Sequence, residues 1–212
     1  MTQVSGIVAA PSNTSVPDGT INQGLLQGKQ GEALNAELHG FWYTQAYRGN
    51  LFWGATATAG TTIPIQASGL AGTFVLLNPA NSGKNLELVR YTAAFEAATM
   101  VVSDVSLYYQ TNIGSVNAAL SSLTALTPHP GNLGGSFSPQ GALYSAATFT
   151  GALTRGLILF GPGATTSTNN LALNYDFNGM IIVPPGCAVT TAGNAAQTSA
   201  ASQAIVWVEN PL

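Results

Sequence analysis

The stretch LNPANSGKNLELVRYTAAFE, residues 77–96, decides how the chain is read. It opens like a phosphate-binding loop and closes like a strand. A P-loop needs a Gly six residues before the Lys of its Gly-Lys pair and a Ser or Thr directly after it. Those positions let backbone approach phosphate and bring a hydroxyl to magnesium. Here Asn78 stands at the first position and Asn85 at the second, so both requirements fail. The run Asn78-Pro79-Ala80-Asn81-Ser82-Gly83 is made instead of turn-forming residues. Beyond it, Leu86, Leu88 and Tyr91 alternate with Glu87 and Val89, a period near two that marks a half-buried strand. The stretch is a turn feeding a strand, with Lys84 at the junction and Arg90 inside the strand. Nucleotide binding is not expected of it.

The same texture extends in both directions. FWYTQAY and LFWGATAT flank Arg48-Gly49-Asn50, which reads as a hairpin turn. TIPIQA, TFVLLN, TMVVSDVSLYYQ, RGLILF, NLALNYDF, GMIIVPPG and AIVWVE are further short β segments separated by turn residues. Such a series suits a sandwich or barrel better than a parallel α/β fold. Two places depart from it. GEALNAELHG, residues 31–40, has Leu34, Leu38 and Phe41 at helical spacing, with Glu32 early and Gly40 at the end, which predicts a short helix. Ser115 to Leu126 has Val116, Ala119, Leu120 and Leu123 at helical spacing and predicts another. Residues 127–145 are a Gly/Pro-rich excursion of the kind that makes contacts. Residues 1–30 show no sustained period and read as an extended arm, leaving 31–212 as the β-sandwich domain.

Charge narrows the function. Asp, Glu, Lys and Arg make up 6% of the 212 residues, against roughly a quarter in an average soluble domain. The apolar share of 46% is ordinary, so the chain does not carry the signature of disorder. A lone soluble subunit usually spreads charge over its surface. A chain this poor in charge is expected to rest much of its surface on other subunits, where charges would cost desolvation. Five basic residues spread along the chain, at a net charge of −3, form no patch for nucleic acid. The single Cys187 excludes an internal disulfide framework and reads as a small, semi-buried strand residue. The N-terminal run has no basic segment and too short an apolar one for a signal peptide, and no run approaches a membrane span. Assembly in a cytoplasm is expected.

The search for catalysis returns little. The carboxylates are Asp18, Glu32, Glu37, Glu87, Glu96, Asp104, Asp176 and Glu209, and no spacing marks an acid/base pair. His39 and His129 alone make no zinc site, and HExxH, CxxC and GxSxG are absent. GPGATTS at 161–167 lacks the third Gly of a dinucleotide loop and reads as a plain loop. His39 reads as a helix-end residue, and His129, between Pro128 and Pro130, as an interface residue in a rigid turn. No catalytic, cofactor-binding or metal site is expected. Trp42, Tyr43, Tyr47 and Trp53 could stack on sugars, but at strand spacing core packing accounts for most of them.

The order AELHGFWYTQAYRGNLFWGA, LNPANSGKNLELVRYTAAF, LTALTP, DFNGMIIVPPGCAV and VWVENP resembles a broad group of tailed-bacteriophage virion proteins, over residues 30 to 212. The shared features are a helix ending in His-Gly, an Asn-Pro and Ser-Gly-Lys turn before a long strand, a late Val-x-Pro-Gly turn and a terminal Trp-x-Glu. The resemblance implies a jelly-roll-like antiparallel β-sandwich on the virion surface. It implies a head decoration (cement) protein bound to the major capsid protein, with self-association as a homotrimer. It brings no catalytic residues. A tail, collar or fibre-base protein is the alternative of the same class, and a glycan-binding module the alternative of another.

Overall fold

The computed structural model describes residues 41–65, 71–72, 74–95, 103–111, 120–149, 153–161, 172–195 and 200–212, all within one unit, Phe41–Leu212. The expected arm, the expected helix over 31–40 and His39 lie outside the described residues. The elements are α1 (Phe41–Tyr47), β1 (Leu51–Ala55), β2 (Thr61–Thr62), β3 (Ala71–Gly72), β4 (Val75–Asn78), β5 (Lys84–Phe95), β6 (Val105–Gln110) and β7 (Leu120–Leu126). They continue with β8 (His129–Pro130), β9 (Ala142–Phe149), β10 (Thr154–Phe160), β11 (Ala172–Val183), β12 (Cys187–Gly193) and β13 (Ala200–Pro211).

The strands form two antiparallel sheets. One runs β11-β5-β13-β1-β8, with β2 also on β13; the other runs β10-β6-β12-β4-β9-β3, with β7 also on β9. The pairs β4–β12, β5–β11 and β6–β10 are nested like rungs of one long hairpin. Their members alternate between the sheets, so the hairpin is wrapped around the core in the jelly-roll manner. The expected all-β sandwich is the observed fold.

The strand read from residues 84–95 is β5, at the centre of this wrap. Leu86, Leu88, Tyr91, Ala93 and Phe95 are all buried. The three-residue step from Leu88 to Tyr91 is a bulge. On β13, Trp207 pairs with Leu88 and Val206 with Arg90, which leaves Val89 as the extra residue. Leu86, Leu88, Tyr91 and Ala93 meet Phe74 and, from the opposite sheet, Leu76, Leu107 and Val189, together with Phe177, Ile205 and Trp207 of their own, while Phe95 joins a smaller cluster with Ile63, Val105 and Ala201. A second cluster, with Val75, Leu77, Leu120, Phe149 and Ala188, covers the other face of β4 and β12.

Several expectations are corrected. FWYTQAY is not a strand but α1, and Arg48-Gly49-Asn50 is its C-terminal cap rather than a hairpin turn. Asn50 N donates to Gln45 O at 2.9 Å and Gly49 N to Ala46 O at 3.1 Å, with Gly49 at φ 76°. That is the Schellman arrangement, which needs the same left-handed glycine as a hairpin turn does. Leu120–Leu126 is strand β7, not helix: Ser122 has φ 54° and the pairing with β9 slips there. The irregularity brings Leu120 and Leu123 into the same cluster, so a bulged strand shows a helix-like spacing. NLALNYDF and GMIIVPPG join into the single strand β11, which is interrupted by a register jump between Asp176 and Ile181. The excursion 127–145 shortens, because β8 and β9 claim both its ends.

Candidate interaction surfaces

The described carboxylates are all held by structural partners. Glu87 accepts from Asn210 Nδ2 at 2.8 Å. Asp176 pairs with Arg90, and the hydrogen bond and then the charge of Asp176 raise the guanidinium above its ordinary value. Both partners are about half exposed, so the pair adds little stability. Asp104 pairs with Arg155, accepts from Ser106 Oγ at 2.8 Å and receives Asn194 N at 3.1 Å. Glu209 is buried at 3% exposure. Among the described residues no three of His, Cys, Asp and Glu gather as metal ligands, and no helix is long and apolar enough to cross a membrane.

Three buried polar side chains hold the framework. Asn78, at the failed P-loop position, donates from Nδ2 to Lys84 O and to Val183 O, both at 2.8 Å. It thus ties the end of β4 to the start of β5 and the end of β11, across the two sheets. The turn after it is closed by Ser82 N to Pro79 O, and Gly83 takes φ 64°. Gln203 on β13 receives Tyr91 Oη at 2.8 Å and Thr191 Oγ1 at 2.6 Å, and donates to Thr61 Oγ1 at 3.1 Å. Tyr91 and Gln203 belong to one sheet and Thr191 to the other. Burial pushes the Tyr91 phenol well above its ordinary range. Glu209 receives the backbone N–H of Gln140 at 2.9 Å, that of Gly141 at 2.9 Å and Trp207 Nε1 at 3.1 Å. The terminal Trp-x-Glu is therefore an anchor for the end of the 131–141 loop. It is legible in the sequence as two same-face positions of one strand.

What remains outward is apolar in two places. On α1 the one buried residue is Gln45, while Phe41, Tyr43 and Tyr47 are 50%, 53% and 54% exposed. Tyr43 and Tyr47 lie one turn apart with rings 10° from parallel and centroids at 6.2 Å. Core packing therefore does not account for these aromatics, contrary to the strand-based expectation. Phe137 of the following loop lies against Gly49, where a Cβ would overlap its ring, and it and Leu133 are also exposed. His129 is exposed in β8 and packs its ring on Trp53 at 4.8 Å.

The second place is the open side of the sandwich, between β11 of one sheet and β6, β10 and β12 of the other. A cleft of about 330 Å³ opens there, lined by Leu107, Tyr109, Leu157, Ile181, Pro184 and Val189 among others, with no charged side chain. Cys187 also lines it, buried at the start of β12 as a free thiol. Ile182, which also lines it, is 59% exposed, and Ile158 on β10 and Met180 on β11 are 58% and 68% exposed. Comparison with protein-family models, with curated proteins and with solved structures returns no match.

Proposed function

We propose that the chain is a virion structural protein that decorates and stabilises a phage head, bound to the major capsid protein and to further copies of itself as a homotrimer. The observation that carries this reading is the pair of uncharged, apolar surfaces on a chain with 6% charged residues. Contiguous exposed apolar patches mark contact sites. A shell offers many equivalent positions where contact area adds to stability. The order of sequence features that resembles phage virion proteins supports the same reading. The test is to add the purified protein to heads that lack it. Saturable binding in a number that scales with the capsid lattice, with raised resistance of the heads to heat, is the expected result. Binding confined to a few sites at a vertex or tail would refute it in favour of a tail or collar role.

The exposed, stacked Tyr43 and Tyr47 favour a second reading, a glycan-binding module, since parallel aromatic faces suit sugar rings. Retention of the protein on a glycan array, abolished by Tyr47→Ala, would support it over decoration.

A further inference from the structure

We propose that Asn178 is a site of spontaneous covalent modification, at which the backbone nitrogen of Gly179 closes on the side-chain amide and water converts the asparagine to aspartate and isoaspartate. Asn178-Gly179 is the single Asn-Gly pair in the chain. It sits where β11 breaks register. Asp176 pairs with Arg90 and Ile181 with Leu88, so residues 177–180 have only Val89 opposite them. β11 is also the outermost strand of its sheet. Asn178 has φ 48° and Gly179 φ 80°, the left-handed pair for which Asn-Gly is the preferred sequence. Glu87 Oε1 fills the space where a Cβ on residue 179 would stand. The fold thus demands glycine here, by conformation and by space, and glycine is the residue that least hinders attack by its own nitrogen. The inference is independent of the decoration reading.

In the reaction the Gly179 nitrogen gives up its proton and forms a bond to Cγ of Asn178. The bond from Cγ to Nδ2 breaks, and ammonia leaves carrying that proton. Water then opens the cyclic imide. Hydrolysis at Cγ gives aspartate; hydrolysis at the backbone carbonyl gives isoaspartate, with the chain routed through the side chain. Water is the only co-reactant. Asn81 and Asn194 also precede small residues, but hydrogen bonds hold them back. The nitrogen of Ser82 donates to Pro79 O at 3.0 Å. That of Ala195 donates to Ser103 Oγ at 3.2 Å, and the Asn194 side-chain oxygen receives Ser103 Oγ at 2.9 Å and Asp104 N at 3.1 Å. The Asn178 amide is exposed and has no hydrogen-bond partner among the described residues. It can turn toward the Gly179 nitrogen without giving up a bond. The product places a new carboxylate on an edge strand whose one charged residue, Asp176, is already paired with Arg90. Charge on an edge opposes the pairing of a further strand there.

The test incubates the folded full chain at mildly alkaline pH, then maps its peptides by mass spectrometry, with an isoaspartyl methyltransferase marking the isomer. Conversion at Asn178 should appear first and run at least about tenfold faster than at Asn81 or Asn194. It should slow as the pH is lowered, because the attacking nitrogen must lose its proton. Asn178→Gln, whose longer side chain closes a ring far more slowly, should lose the acidic species that isoelectric focusing resolves in the wild type. The same chain unfolded in urea is the reference. Folded protein that leaves Asn178 unchanged while the unfolded chain converts would overturn the inference, because the turn would then shield the amide. Conversion at Asn81 or Asn194 as fast as at Asn178 would overturn it too, since the hydrogen bonds would not be the deciding feature.

Discussion

Replacing Glu209 should loosen the sandwich from its C-terminal strand outward. The residue is 3% exposed, and its carboxylate receives the N–H groups of Gln140 and Gly141 and the indole of Trp207. Gln140 N reaches both oxygens, at 3.0 and 2.9 Å, and Oε1 also takes Gly141 N and Trp207 Nε1. Hydrogen bonds to a charged group contribute about 1.5–3 kcal/mol each and neutral ones roughly half of that. In Glu209→Gln the amide oxygen can keep the Oε1 position, but its NH₂ then faces the Gln140 N–H, donor against donor. Losing charge assistance on three bonds costs about 3 kcal/mol. Burying a neutral group rather than a charge returns part of this, so the net loss should be near 2 kcal/mol. Glu209→Leu leaves three donors unpaired at roughly 1–3 kcal/mol each, partly offset by apolar burial, for a net loss near 4 kcal/mol. Urea unfolding followed by tryptophan fluorescence measures both. Hydrogen exchange should show the Gln140 and Gly141 amides protected in the wild type and open in the Leu variant. Losses within about 0.5 kcal/mol for both variants, the range of ordinary surface changes, would refute the anchoring role.

Gln203→Leu should cost about 3 kcal/mol by leaving the Tyr91 and Thr191 hydroxyls unpaired in the core, and a double-mutant cycle with Thr191→Val should show coupling of at least ~0.5 kcal/mol. Tyr91 is raised in the fold, so its contribution is complete below the ordinary phenol value of about 10 and is lost as pH rises from there toward the folded value. Between pH 9 and 11 the wild type should therefore lose about 1.4 kcal/mol more than Tyr91→Phe, measured by urea unfolding at each pH; equal losses would contradict this. Lys84→Ala should change stability by no more than about 0.5 kcal/mol. Calorimetry should find no ATP affinity in wild type or variant; binding lost on that substitution would restore the phosphate-loop reading.

Residues 84–95 were legible because β5 has one buried face for most of its length, and a half-buried strand writes its period into the sequence. CAVTTAG was legible only at Cys187, read as a strand residue, and the strand's extent was hidden for the opposite reason. All seven residues of β12 are buried, Val189 in one cluster and Ala188 and Ala192 in the other, so no alternation survives. FWYTQAY misled because its aromatics favour strands, yet α1 buries only Gln45 and turns Phe41, Tyr43 and Tyr47 outward. A helix that exposes its aromatic residues cannot be recognised from a pattern that assumes they point to a core.

The candidate surfaces divide along the same line. Sequence alone determined that the chain is short of charge, because composition does not depend on the fold. It also determined that the Asn78–Gly83 run does not carry the phosphate-loop pattern, because the required Gly and hydroxyl are missing from local positions. Only the tertiary structure decided where the uncharged surface lies. Leu107, Leu157, Ile181 and Val189 come from four strands of two sheets, and they become one cleft only when the wrap sets β10 beside β11. Glu209 likewise meets the amides of Gln140 and Gly141 across nearly 70 residues of chain. Local periodicity reports which way a side chain points, and long-range pairing alone determines what it meets.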